Sequence, residues 1–483
     1  MRKKPIFISL FALVCLLALT SCTTSTQKND ESPWNKLDSL LSRITPPVFP
    51  HKDFLVTDYG AVGDNKTDCS TAFRKAVEAC SQGGGGRVVV PEGRYKTGAI
   101  HLKSNVNLHL SEGATIAFST NPKDYLPLVV TRWEGVDLMN YSPLVYAFGE
   151  KNIAITGSGT LDGCADNTNW WPWKGRDIYG WKEGMEEQNA DGRRPALFDM
   201  GEKGVPVEER IFGEGFYLRP QFIQPYKCEN ILIEGITILN SPMWIIHPVL
   251  SNNITIRNVH VNSDGPNSDG CDPESCKDVL IKDCYFNTGD DCIAIKSGRN
   301  ADGRRIGIPC ENIIIQNCTM ENGHGGVVIG SEISGGARYV FAENSKMSSP
   351  LLDRALRIKT SSMRGGTIED IYMRNVEVGQ VKQEAIYITM FYEDKGDHMP
   401  IIKNIGVENL RVKQGGKVGI RIEGYKASPV TDIYLKDIDI ETSERAYQLE
   451  NVENLCLENV KVNDKELNTG DVQIGNAERT PTW

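Results

Sequence analysis

At 483 residues the chain is long enough to bury a large core, and its 8% aromatic content with 46 glycines favours a turn-rich β protein over a helical one. A formal charge of −10 at pH 7 argues against nucleic acid as a partner. It does not exclude an acidic substrate, because a local basic patch can override the mean.

Residues 1–22 read as a targeting segment: a basic start at Arg2, Lys3 and Lys4, an apolar run from Ile6 to Leu19, and Leu19-Thr20-Ser21-Cys22. The apolar run is shorter than a membrane span, so export followed by cleavage is expected. The last four residues resemble a bacterial lipoprotein signal. That implies removal of residues 1–21, lipidation of Cys22, and an exported protein held to the outer membrane on its periplasmic or cell-surface face. An ordinary secretory signal is the alternative. Residues 22–49 are polar and contain proline, and read as a tether to a single domain over residues 50–483.

Ala72, Phe73, Ala76, Val77 and Cys80 recur at helical spacing after Asp68 and Ser70, which predicts one capped N-terminal helix. The four glycines at 83–86 lack a following Gly-Lys-Ser/Thr, so they predict a turn rather than a phosphate loop. Further on a nine-residue phrase recurs. It begins at Asn230, Asn253, Asp278, Asn312, Asp370, Asn404, Asp432 and Asn454, with a weaker copy at Tyr339 and an early relative at Asn152. From Asn230 the starts lie 22 to 34 residues apart. Positions two, four, seven and nine are mostly apolar, and position six is usually Asn or Asp. That describes two short strands meeting at a corner that needs a left-handed residue. A coil of this size cannot bury its own apolar face, so the coils must stack into an all-β parallel β-helix.

Of thirteen cysteines, eleven remain after Cys15 leaves with the signal and Cys22 is acylated, an odd number that cannot all pair. Cys284 and Cys318 fall at position seven, where other coils place valine, and so read as core thiols. Residues 165–225 interrupt the repeat with Trp170, Trp171, Trp173 and Trp181, too aromatic for disorder, and read as a wall beside a cleft.

Each phrase is followed by a second short strand, as in Ile293–Lys296, Val327–Gly330, Leu356–Lys359 and Ile386–Thr389. Alternation sends Lys296, Arg357, Lys359 and Tyr387 outward, along a strip whose neighbouring coils lie ~4.8 Å apart. Near the same strip fall Asn267-Ser268-Asp269, Gly289-Asp290-Asp291 and Gly323-His324-Gly325. Three carboxylates gathered together favour acid–base chemistry, and hydrolysis of a glycosidic bond needs one protonated and one ionised carboxyl. Arg357 and Lys359, two residues apart, share a face and suit an acidic sugar. Strict alternation would send Asp290 and Asp291 to opposite faces, so the turn must break it.

With Arg357-Ile358-Lys359, these segments resemble the four signature motifs of the glycoside hydrolase family 28 polygalacturonases, right-handed parallel β-helices, with Ser268 in place of threonine. The resemblance runs from about Phe54 to Val462. It implies an inverting hydrolase of α-1,4-galacturonosyl bonds in pectin, with Asp290 as general acid, Asp269 and Asp291 activating water, and His324 tuning the acid. Asn267, Lys296, Arg357, Lys359 and either Tyr392 or Tyr387 would bind substrate, with no cofactor and no metal. The insertion, with Leu218-Arg219-Pro220 and Ser241-Pro242-Met243-Trp244, looks like the exo-acting branch. The expected partners are a pectic polysaccharide or oligogalacturonide and, through Cys22, a membrane, with the chain a monomer. A pectate lyase, a rhamnogalacturonan hydrolase and a non-catalytic pectin-binding lipoprotein stay as alternatives.

Overall fold

In the computed structural model, which describes residues 32–393 and 395–476, the repeated phrase becomes the stacking unit. The second position of each copy is the Cα partner of the second position in the next, from Ile231 through Ile254, Val279 and Ile313 to Leu455. These side chains point into one continuous core. Each fully buried Ile or Val there contributes roughly 1.5–3 kcal/mol. The second strands stack likewise, with Ile293, Val327, Leu356, Ile386 and Ile420 in register. Pairing is parallel throughout the stack, giving a right-handed parallel β-helix. Two antiparallel pairs decorate it, the hairpin Val129–Trp133/Val136–Asn140 and the pair Val452–Val462/Lys465–Leu467.

The corner is where the phrase predicted it. Position six is left-handed in each full coil, as at Asn258 (φ 52), Asp283 (φ 54), Asn317 (φ 55) and Asn375 (φ 53). Position one is left-handed too, from Asn230 (φ 58) to Asn454 (φ 51), which the spacing alone did not reveal. Asn serves both sites because it tolerates this backbone and its amide can bond the coil before it. The Asn253 amide donates to Asn230 at 2.7 Å, and that of Asn409 to Asn375 at 2.8 Å. Cys271, Cys276, Cys284, Cys292, Cys310 and Cys318 are buried free thiols, consistent with small apolar residues in the stack.

The predicted helix, α1, spans Ser70–Gln82 and packs Phe73, Val77 and Cys80 against the first coils. The N-cap residue is Cys69, which makes no side-chain cap bond, and the Asp68 carboxylate just before it accepts the Ser70 amide at 3.0 Å. Cys22 and the signal segment lie outside the described residues. The tether ends earlier than expected, for the compact unit starts at Pro33 rather than near residue 50. Trp34, Leu37, Leu40 and Ile44 are buried against Ile314 and Phe341 on the outer face of the solenoid, and Arg374 stacks on Trp34 at 3.9 Å. The polar, proline-containing composition of this arm masked four apolar residues spaced for one face.

Replacing Trp34 with alanine should therefore cost roughly 3 kcal/mol of local stability. Limited proteolysis should then cut within residues 33–45 while turnover stays at the wild-type level; an arm that remains protected would contradict the packing.

Candidate active site

Stacked coils bring the four motifs together through main-chain bonds. The Gly270 amide donates to the Asp291 carbonyl at 2.9 Å, and the His324 amide to the Asp290 carbonyl at 3.2 Å. Gly289–Cys292 form a bend between the strands Tyr285–Thr288 and Ile293–Ile295, which breaks the alternation and turns both aspartates to one side. One oxygen each of Asp269, Asp290 and Asp291 then lies within 4.8 Å of the others. Gly323, at φ 132, is required because a Cβ there would collide with the Asp290 carbonyl. The Ser268 hydroxyl accepts the Gly289 amide at 3.0 Å and donates to the Gly265 carbonyl, so it locks the first two motifs together.

The basic residues take positions the alternation did not anticipate. Lys359 Nζ lies 2.7 Å from one oxygen of Asp291, and an Arg357 nitrogen 3.4 Å from the other. They are thus bound to a catalytic-site carboxylate rather than standing free on a surface strip. Lys296, expected outward, is 2% exposed, and its ammonium faces Asp269 and Asp272 at 3.6 Å and Glu332 at 3.3 Å beneath the Trp244 ring. Ala294 and Val328, on the same side of their strands as Lys296 and Arg357, are buried as well. Tyr392 lies over both Lys359 (5.1 Å) and Arg357 (5.4 Å). Tyr387 instead sits between Arg354 and Arg421, one coil away, which separates the two candidates.

Burial sorts the carboxylates. The Asp291 side chain is fully buried, Asp269 is 4% exposed, and Asp290 stands at the mouth with 18% exposed beside a half-exposed His324. Nδ1 of His324 is 2.9 Å from an Asp290 oxygen. Burial pushes Asp269 well up, helped by Asp290 and Asp272 and opposed by Lys296. Burial also acts to raise Asp290 and Asp291, but nearby cations outweigh it: His324 and Lys359 for the first, Lys359 and Arg357 for the second. Asp290 in turn raises His324 to about 9. Asp269 thus holds a proton more tightly than an ordinary carboxylate, and His324 more tightly than a free imidazole. Two acceptors within 4.8 Å can share one bridging water at ordinary hydrogen-bond lengths.

The insertion reaches this centre. Its segment Trp171–Lys174 is pinned by Trp171, whose indole donates to the Ser241 carbonyl at 2.9 Å, and Lys174 donates to the Asn267 side chain at 2.7 Å. Arg219 donates to the same Asn267 oxygen at 2.8 Å. Arg194, on the helix α2 (Arg194–Lys203), pairs with Glu134 of the hairpin, and Arg299 pairs with Glu332 and Glu393. Asp272 could have been found from its place three residues after Asp269. Lys174, Glu134 and Arg194 carry no such signal, because the insertion and hairpin stand outside the repeat and have no register to read.

The fold and the site have counterparts among known proteins. A solved hyperthermoactive exopolygalacturonase from Thermotoga maritima is 49% identical with a TM-score of 0.87, covering 89% of this chain and 96% of that one. A Vitis vinifera protein named "Probable polygalacturonase" is 30% identical over 81% of this chain and 74% of its own length. An exo-poly-alpha-D-galacturonosidase of Dickeya chrysanthemi is 28% identical over 76% of this chain and 64% of its own. The model of glycosyl hydrolases family 28 matches residues 215–462, a stretch that holds the aspartates, His324 and the basic pair in the register described above. With more than half the chain inside that match and its carboxylates gathered at one centre, the protein belongs to glycosyl hydrolases family 28.

Proposed function

We propose that the protein hydrolyses the α-1,4-galacturonosyl bonds of pectin with inversion, releasing galacturonate from chain ends. The observation that carries this reading is the arrangement of three carboxylates within 4.8 Å, with Asp290 at the mouth and Asp269 and Asp291 on the floor. Asp290, with the proton it shares with His324, is the group a leaving oxygen can reach, while Asp269 and Asp291 hold and deprotonate a water. Arg357, Lys359 and Tyr392 form the wall on the C-terminal side. Arg357 keeps a buried Nε without a partner among the described residues, a donor for a sugar carboxylate. Lys296 acts as a positioning residue for Asp269 beside it, and Asn267 for the Lys174 and Arg219 cations that donate to it.

The carboxylate spacing is shorter than the ~6.5–9.5 Å usual for inversion. Retention would require one floor carboxylate to attack the sugar. Asp291 is tied to two cations and Asp269 is almost wholly buried, which disfavours both as nucleophiles. The walling insertion and the exo-acting relatives support release from chain ends. The segment from Arg2 to Cys22 supports an exported lipoprotein anchored through Cys22.

Polygalacturonate should yield galacturonate monomer with little early loss of viscosity, undiminished by chelator and without an absorbing unsaturated product, while rhamnogalacturonan is untouched. A ladder of oligomers would mean endo cleavage, and chelator-sensitive formation of an unsaturated product would mean a lyase. Asp290→Asn should lower kcat by roughly 10²–10⁴-fold yet still bind oligogalacturonate, which a pure binding protein would not need. The alkaline limb of kcat/KM should fall near pH 9, where the Asp290–His324 pair loses its last proton. In His324→Gln the proton must sit on Asp290 alone, so the limb should move to lower pH; an unmoved limb would remove His324 from the acid.

A further inference from the structure

Two cations on the N-terminal side of the carboxylates lack acidic partners. Among the described residues no carboxylate oxygen lies within 4.0 Å of the Lys174 ammonium, whose protein partner is the neutral Asn267 oxygen. Arg219, 0% exposed, is held only by neutral oxygens: those of Pro242 (2.8 Å), Pro266 (2.6 Å), Gln188 (3.2 and 3.4 Å) and Asn267 (2.8 Å). Both feel the field of Glu134, but a cation with no carboxylate in direct contact is costly to bury unless an anion completes the site. Every other cation near the centre, from Lys296 and Lys359 to Arg194 and Arg299, already has its carboxylate.

The position of Lys174 along the solenoid decides what that anion is. Main-chain bonds order the coils from Ile245 to Asp269, from Gly270 to Asp291, from Cys292 to Gly325 and from Gly326 to Arg354. Lys174 and Arg219 meet Asn267 in the coil before Asp290 and Asp291, whereas Arg357 and Lys359 stand two coils after them. The carboxylates therefore lie between two sets of cations whose backbones are about three coil steps, roughly 14 Å, apart, with the Lys359 ammonium reaching back to Asp291. The N-terminal flank is the one closed by the insertion, so the sugar lodged there is the last of its chain. Trp170, Trp171 and Trp173 fix the backbone of Lys174, with Trp171 packed so closely on Gly265 that any Cβ at 265 would strike its indole. The cation is thus held in place before substrate arrives.

We propose that Lys174 is a specificity-determining residue that binds the carboxylate of the terminal galacturonate on the walled side of the cleft, with Arg219 behind it holding Asn267 in line. This rests on the polygalacturonase reading and deepens it: chain-end cleavage follows from a wall that carries its own charge-reading group. Burial depresses the Lys174 ammonium to about 8, against the field of Glu134 and with that of Arg219 and Arg194, so an incoming carboxylate would also restore its affinity for the proton.

The test uses the full chain and trigalacturonate, either unesterified or carrying one methyl ester on each residue in turn. In the wild type, esterifying the terminal residue on the walled side should lower kcat/KM by roughly 10- to 100-fold. In Lys174→Met that penalty should shrink to within about threefold while the penalties at the other residues persist, and Lys174→Arg should retain it. If Lys174→Met slows all the substrates equally, Lys174 does not read a carboxylate and the proposal falls while the polygalacturonase reading stands. If the wild type leaves unesterified trigalacturonate intact, both fall.

Discussion

The ion pair between Asp291 and Lys359, 2.7 Å across a gap of 68 residues, is the contact on which the site depends. It joins the bend of one coil to a strand two coils on, and it exists only because the second strands stack without slipping. A one-residue shift would turn Lys359 into the core and leave Asp291 buried and uncompensated, at a cost of roughly 3–5 kcal/mol. Catalytic geometry and coil register are therefore one constraint. The same holds for Lys296, which gathers Asp269 and Asp272 from one segment and Glu332 from another around one ammonium.

Charge balance explains how so many carboxylates share so little space. Asp269 faces Lys296 from the next coil, Asp291 faces Lys359 and Arg357 from two coils on, and Asp290 faces His324. Asp291, fully buried, is held by two cations, and the carboxylate nearest the mouth keeps a titratable partner. Beyond the carboxylates the roof adds its own charges, from the hairpin through Glu134 and from the insertion through Lys174, Arg194 and Arg219. Solenoid and roof divide the work: the stack places the reacting groups, and the irregular segments close the cleft and add the remaining cations.

Residues that obey the repeat were legible in the sequence. The phrase predicted the stack, the corners at Asn258 and Asn375, the core thiols at Cys284 and Cys318, and the convergence of Asp269, Asp290, Asp291 and His324. Period-two alternation failed where aromatic rings cover the strand: Lys296 and Arg357 do leave the core, but they lie against Trp244 and Tyr392 instead of solvent. It could not choose between Tyr387 and Tyr392 either, because the second follows the strand in a bend. The arm from Pro33 was hidden by its composition, and Lys174 by its distance from any repeat. In both cases tertiary packing, not local pattern, decides the structure.

The central claim is that a water held by Asp269 and Asp291 attacks the sugar while Asp290 protonates the leaving oxygen, in one displacement. Proton NMR of the first product released from polygalacturonate, read before mutarotation, tests this most directly. The account predicts β-galacturonate, the inverted anomer; α-galacturonate as the first product would mean that a carboxylate, not water, attacks first, and would contradict it.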